Sequence, residues 1–186
     1  MKLLAVSVAV LVCGLVAFPI GMGTTINELP AAVNPVTLAP KQADPELYAQ
    51  GRPILDEFGA KSVQLNVVKP GENCPTEVKA GVVMACANLT VGPIYVNTNI
   101  GKLGGSLRAV LAHEYVHVLT SQEEYNWLKK HVHVEGVAPE EVIADCGVSH
   151  FVPKNSPEYQ APYMGDRCTP ELTEISRRVI LDLKLR

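Results

Sequence analysis

A helical stretch that combines apolar and ionisable residues is the feature that most constrains this chain. Between Ser106 and Thr120 the apolar residues recur at helical spacing, and Ser106 is a typical N-cap residue. The stretch contains the pattern His-Glu-x-x-His, in which His113 and His117 lie one helical turn apart on the same face. Burying two imidazoles and the carboxylate of Glu114 is costly unless they are paired or bind a metal. The pattern therefore predicts a core helix that carries a metal site.

A second helix downstream is expected to supply a third ligand. Pro139 is a typical first-turn residue and acidic residues follow it, so a helix is predicted to begin there. Glu141 and Asp145 share one face of this helix. We predict that Glu141 is a metal ligand and that Asp145 accepts a hydrogen bond from a ligating imidazole. Glu114 is predicted to be the general base that takes a proton from a water molecule acidified by the ion.

Two alternatives stand beside this interpretation. The pattern His-Glu-x-x-His also occurs by chance on surface helices, where its side chains are solvated. His131 and His133, which follow the first helix, are a second source of a third ligand and could replace Glu141.

The segment His-Glu-Tyr-Val-His at 113–117, followed by Glu-Val-Ile-Ala-Asp at 141–145, resembles the signature of the gluzincins. These are zinc peptidases whose third ligand is a glutamate on a later helix. The short chain and the Glu-x-x-Ala-Asp form are similar to their small bacterial and phage members, the minigluzincins. The metzincin pattern fits badly, since it requires Gly at position 120 and His at position 123, where this chain has Thr120 and Glu123.

The resemblance covers roughly residues 60–151 and implies a role for each matching residue. It implies zinc ligation by His113, His117 and Glu141, a general base at Glu114 and support of a ligand by Asp145. Gluzincins also use a histidine or tyrosine to polarise the substrate oxyanion. No motif identifies that residue in this sequence.

Three segments before the metal helix predict a small sheet. Residues 63–68 alternate in polarity, and residues 81–91 and Ile94–Asn97 have the composition of strands. The sequence therefore predicts an α+β fold in which a small antiparallel or mixed sheet precedes the metal helix and the second ligand helix. The resemblance implies a zincin-like fold, in which an edge strand pairs with the substrate backbone. We predict that this strand is formed by Ile94, Tyr95, Val96 and Asn97.

The N-terminal region predicts export. Residues 1–23 carry no charged side chain after Lys2, which is typical of a signal peptide or of an N-terminal membrane anchor. Both alternatives place the rest of the chain outside the cytoplasm, as a secreted or anchored protein. Residues 24–43 are rich in proline and lack apolar periodicity, so they are predicted to form a linker. Residues 44–186 are then the metallopeptidase domain.

Four cysteines follow the N-terminal segment. An even number of cysteines in an exported chain favours disulfides, and four cysteines allow three pairings. We predict the pairs Cys74–Cys86 and Cys146–Cys168, of which the second would tie the helix of Glu141 to the C-terminal segment. Metal ligation by cysteine is disfavoured because the sequence has no Cys-x-x-Cys pair.

Together these features predict an exported zinc-dependent metallopeptidase that hydrolyses peptide bonds in peptide or protein substrates. Cell-wall peptide cross-links are an alternative substrate for the same chemistry. A different class of function is a non-catalytic, disulfide-stapled envelope or phage-encoded binding module that contains zinc. Glu114 argues against this module, because a structural zinc site is usually closed by four protein ligands and needs no base.

Net charge limits the expected partners. The formal net charge of −3 provides no basic surface for nucleic acid, so nucleic acid is not expected as a partner. Contact with a membrane is expected only through the N-terminal segment.

Overall fold

The computed structural model describes residues 42–73, 77–78, 81–87 and 92–185. The predicted signal or anchor segment 1–23, nearly all of the predicted linker 24–43, and Cys74 lie outside these residues. Among the described helices, none has the length and apolar character needed to cross a membrane.

Five α-helices are the longest secondary-structure elements among the described residues. They are α1 (Pro45–Glu57), α2 (Leu107–Leu119), α3 (Gln122–His131), α4 (Pro139–Phe151) and α5 (Pro170–Ile180). Local sequence explains where they begin: Ser106 caps α2 through its side chain, and Ser121 and Glu124 form a capping box at α3. Helices α1, α4 and α5 each have proline in the first turn, where a missing backbone N–H costs nothing. The predicted metal helix and second ligand helix are therefore both present.

The described strands form two small sheets. They are β1 (Leu65–Val68), β2 (Glu77–Val78), β3 (Gly81–Val82), β4 (Ala85–Ala87) and β5 (Ile94–Asn97). The larger sheet has the order β1-β5-β4, in which β5 runs parallel to β1 and antiparallel to β4. Strands β2 and β3 form a separate antiparallel pair. The structure thus confirms an α+β protein with a small mixed sheet.

The prediction that Ile94–Asn97 forms the edge strand is wrong. Strand β5 is the middle strand of its sheet, and β1 and β4 pair with its two sides. Ile94 and Val96 on one face of β5 belong to the hydrophobic core. The physical reason is that β5 pairs with β1, which lies far away in sequence, and strand polarity does not encode such spatial order.

Two hydrophobic clusters hold the helices on either side of α2. One cluster joins α1 and α2 to the sheet, through residues such as Leu55, Ile94 and Leu111. The other joins α4 to α5 and the far side of α2, through residues such as Val116 and Ile143. Because α2 lies between them, its side chains are buried on most faces.

Candidate metal centre

Helix α2 presents His113 and His117 from one face, as their spacing predicts. Both residues are only 7% exposed, and their Nε2 atoms lie 3.1 Å apart. The alternative that places the motif on a solvated surface helix is therefore wrong.

Helix α4 packs against α2 and brings Glu141 to the same point. Its Oε2 lies 3.0 Å from Nε2 of His113 and 3.6 Å from Nε2 of His117. Ligand atoms about 2.0–2.1 Å from a tetrahedral ion are separated by about 3.3–3.4 Å, which is close to these distances. The three side chains form a group that could hold a metal ion.

Asp145 supports this group from one turn further along α4. It is fully buried, and its Oδ1 accepts a 2.8 Å hydrogen bond from Nδ1–H of His113. In a neutral His113 ring, this bond would set the tautomer whose Nε2 lone pair is available to a metal ion. The second oxygen, Oδ2, accepts hydrogen bonds from the backbone N–H groups of Tyr163 and Met164, at 2.7 and 2.8 Å. Asp145 therefore links a candidate ligand to a distant part of the chain.

The electrostatics of the group favour a cation at its centre. Burial lowers the pKa of His113, but hydrogen bonds to Asp145 and Glu141 outweigh burial and raise this pKa to about 10. Burial raises the pKa of Glu141, but hydrogen bonds with the two imidazoles outweigh it and hold this pKa far below its usual range. The group thus prefers a protonated imidazole next to an ionised carboxylate. A divalent metal ion would supply the same positive charge, so the donor set fits a metal.

Glu114 lies beside the group with one oxygen unsatisfied. Its side chain is buried, and Oε2 has no hydrogen-bond partner among the described residues. Burial raises the pKa of this carboxyl, although the neighbouring His113 and His117 act in the opposite sense. The backbone N–H of Ala87, in strand β4, also interacts with it. A buried carboxyl oxygen without a donor is costly, which implies that a further polar group belongs there when the site is complete.

Tyr163 is a site residue that the sequence analysis did not find. Its ring centroid lies 5.9 Å from that of His113. Burial raises the pKa of Tyr163 to about 12, and the nearby charges of Glu141 and Glu114 act in the same direction. The phenol therefore keeps its proton and can donate a hydrogen bond at neutral pH. Tyr163 follows α4 in an irregular segment without a motif, so only the tertiary contact with Asp145 identifies it.

His131 and His133 lie apart from this group. His131 stacks on Trp127 with ring centroids 4.2 Å apart, and its Nδ1–H donates to the carbonyl of Trp127. Nε2–H of His133 donates to the carbonyl of Lys130. Both histidines are exposed, and neither belongs to the group that could hold a metal ion, in which the third place is taken by Glu141. The alternative in which they replace Glu141 is therefore wrong.

A disulfide joins α4 to the segment before α5. Cys146 and Cys168 are at disulfide distance, with their Cα atoms 5.4 Å apart, and they are the pair that the sequence predicted. The predicted Cys74–Cys86 pair involves Cys74, which lies outside the described residues. A disulfide is compatible with an extracellular location.

No protein-family model, curated protein or solved structure matches this chain.

Proposed function

We propose that this protein is an exported zinc-dependent metallopeptidase of the gluzincin type, with a zincin-like fold. The observation that carries the proposal is the buried Oε2 of Glu114, which lies beside a group of three potential ligands and has no hydrogen-bond partner within the described part of the chain. Two imidazoles and one carboxylate are a donor set typical of catalytic zinc, which keeps a fourth position open for water. A closed structural site would use four protein ligands and would leave the carboxyl of Glu114 without a purpose.

Each residue has a role in this proposal. His113, His117 and Glu141 would hold the ion, and Asp145 would fix the ring of His113. When bound, zinc acidifies a water molecule and polarises the scissile carbonyl group. Glu114 would take a proton from the attacking water and return it to the leaving amine, and burial raises the pKa of its carboxyl, which favours this exchange.

Tyr163 is the candidate for the residue that stabilises the substrate oxyanion. Its phenol stays protonated at neutral pH because burial and the surrounding carboxylates raise its pKa to about 12. A fixed O–H donor directed at developing negative charge lowers the barrier to hydrolysis. The ring contact with His113 supports a position close enough to the reacting carbonyl for this role.

The substrate would bind as an extended strand along β4. Among the described strands, β4 pairs on one side with β5 and forms an edge of the sheet. An extended peptide can add to such an edge through backbone hydrogen bonds. Ala87 of this strand interacts with Glu114, so a peptide paired with β4 would lie beside the proposed general base. The edge function predicted for Ile94–Asn97 is therefore proposed for β4 instead.

A single experiment tests the catalytic part of the proposal. The purified protein is analysed for zinc and incubated with casein, a peptide library and purified cell wall, with and without chelator. Glu114→Gln should retain stoichiometric zinc while hydrolysis falls by about 10²–10⁴-fold, the usual worth of a general base. Glu123→Gln removes a carboxylate on the exposed surface of α3 and should hydrolyse the substrates like the parent.

The outcomes separate the proposal from its alternative. Hydrolysis by Glu114→Gln at the parental rate would contradict the assignment of the base. Stoichiometric zinc without cleavage of any substrate would favour the non-catalytic binding module. Cleavage of cell wall in preference to casein would assign the enzyme to cell-wall peptides.

A further inference from the structure

We infer that Gln160 is a positioning residue, which fixes the segment between α4 and α5 so that Tyr163 lies against His113. We call residues 152–169 the α4–α5 loop. This inference deepens the proposed function and rests on it, because it concerns how the proposed oxyanion-stabilising residue is held at the site.

Gln160 attaches the α4–α5 loop to the start of the metal helix. Its Oε1 accepts a 2.8 Å hydrogen bond from the backbone N–H of Ser106, and its Nε2 donates a 3.0 Å hydrogen bond to the carbonyl of Gly104. Ser106 is the N-cap of α2, the helix that carries His113. The carboxamide uses its donor and its acceptor at once, so its orientation is determined by both contacts.

Three residues later, the loop is attached to the second ligand helix. The backbone N–H groups of Tyr163 and Met164 donate to Oδ2 of Asp145, and Oδ1 of the same carboxylate accepts from His113. Further along, Cys168 forms the disulfide with Cys146 of α4. The α4–α5 loop is thus held to both helices that provide candidate ligands, and Tyr163 is itself a point of attachment to α4, three residues after the attachment of Gln160 to α2.

Among these attachments, the hydrogen bonds of Gln160 are the ones that involve neither a candidate ligand nor helix α4. Asp145 contacts His113 directly, and Cys146 follows Asp145 in α4, so changes at either would disturb the metal group itself. The hydrogen bonds of Gln160 lead only to backbone groups at the start of α2. Misplacing a catalytic group by about 1 Å can cost about a hundredfold in rate, so even a small loop displacement should be measurable.

The test compares Gln160→Leu with Gln122→Leu in the zinc-loaded protein. Gln122 lies on the exposed side of α3, and its side chain donates to Asn126 of the same helix, so its replacement controls for the loss of a carboxamide. Gln160→Leu should lower kcat about tenfold to a hundredfold and change KM less than about twofold, because substrate binding by the rest of the site is kept. Gln122→Leu should leave both parameters unchanged.

A double-mutant cycle shows whether Gln160 acts through Tyr163. In a Tyr163→Phe background, Gln160→Leu should cause less than about a twofold further loss of kcat, because the group that it positions has lost its hydroxyl. A purely structural role would lower kcat by the same factor in both backgrounds. Gln160→Glu keeps the acceptor for Ser106 but loses the donor to Gly104, and should show an intermediate loss of kcat.

Hydrogen exchange provides a readout that needs no peptidase activity. The amides of Tyr163 and Met164 should exchange faster in Gln160→Leu than in Gln122→Leu, since the loop loses its attachment to α2. If the parent hydrolyses nothing, the proposed function fails and exchange alone decides whether Gln160 holds the loop. Unchanged exchange, unchanged kcat or equal losses in both backgrounds would overturn the inference while leaving the proposed function intact. If Gln160→Leu does not fold, the same criteria apply to Gln160→Glu.

Discussion

Two pairs of histidines, close in sequence, occupy opposite environments in this protein. His113 and His117 are almost completely buried in α2, and their ring nitrogens meet a carboxylate from another helix. His131 and His133 are exposed at the end of α3 and after it, and their ring nitrogens donate to nearby backbone carbonyls. The first pair is buried, which would be costly without a metal ion or a hydrogen-bond partner. The second pair stays in contact with water and has no such cost. A metal site is thus distinguished by the environment of its imidazoles more than by their number.

Removing one histidine from each pair should give the largest contrast. Supporting residues around a metal are worth about 10–100-fold in affinity, so the loss of a ligand itself should weaken zinc binding by about a hundredfold or more. We expect this result for His113→Ala and for His117→Ala, and parental affinity for His131→Ala and His133→Ala. Competition with a chromophoric chelator measures all four affinities.

Equal effects of the four substitutions would remove the distinction between the pairs. Weaker zinc binding in His133→Ala alone would show that the exposed pair contributes a ligand. The ligands would then differ from His113, His117 and Glu141.

The parts of the site that lie within one helix could be predicted from sequence. The i, i+4 spacing of His113 and His117, and that of Glu141 and Asp145, places each pair on one helical face whatever the rest of the fold does. Tyr163 and Gln160 could not be predicted in this way, because the roles proposed for them depend on contacts with Asp145 and Ser106, far away in sequence.

The order of the strands in the sheet could not be predicted from sequence either. The strand at Ile94–Asn97 was predicted from its composition, but its central place depends on pairing with β1. Alternation of apolar and polar residues assigns faces of a strand and carries no information about which strands are neighbours.

The distance between the buried histidines and Glu141 depends on how closely α2 and α4 approach each other. Gly147 on α4 permits this close approach. A Cβ atom added at Gly147 would lie 2.7 Å from Cγ2 of Val116, so Gly147→Ala must push the helices apart or displace this side chain. We expect a loss of about 1–3 kcal/mol in the free energy of unfolding, the usual cost of overpacking. Denaturant titration of the metal-free protein measures it, and zinc affinity should fall as Glu141 moves away from the imidazoles.

The matched control is Gly101→Ala, where an added Cβ meets nothing within 4 Å. Its stability should stay within about 0.5 kcal/mol of the parent. If Gly147→Ala were as stable as Gly101→Ala and bound zinc equally well, close contact between the two helices would not be needed to assemble the group.

The smallest expected effect concerns the exposed pair. His131 stacks on Trp127 at the C-terminal end of α3, and aromatic pairs of this kind contribute about 0.5–1.5 kcal/mol. Because His131 is exposed, His131→Ala should lower the free energy of unfolding by about 0.5 kcal/mol, near the lower end of that range, and His133→Ala should change it less. Denaturant titrations with and without zinc should give the same difference between His131→Ala and the parent, since His131 lies apart from the metal group. If the difference in free energy of unfolding between His131→Ala and the parent were larger with zinc, His131 would be coupled to metal binding. The two pairs of histidines would then both affect the metal site, to different extents.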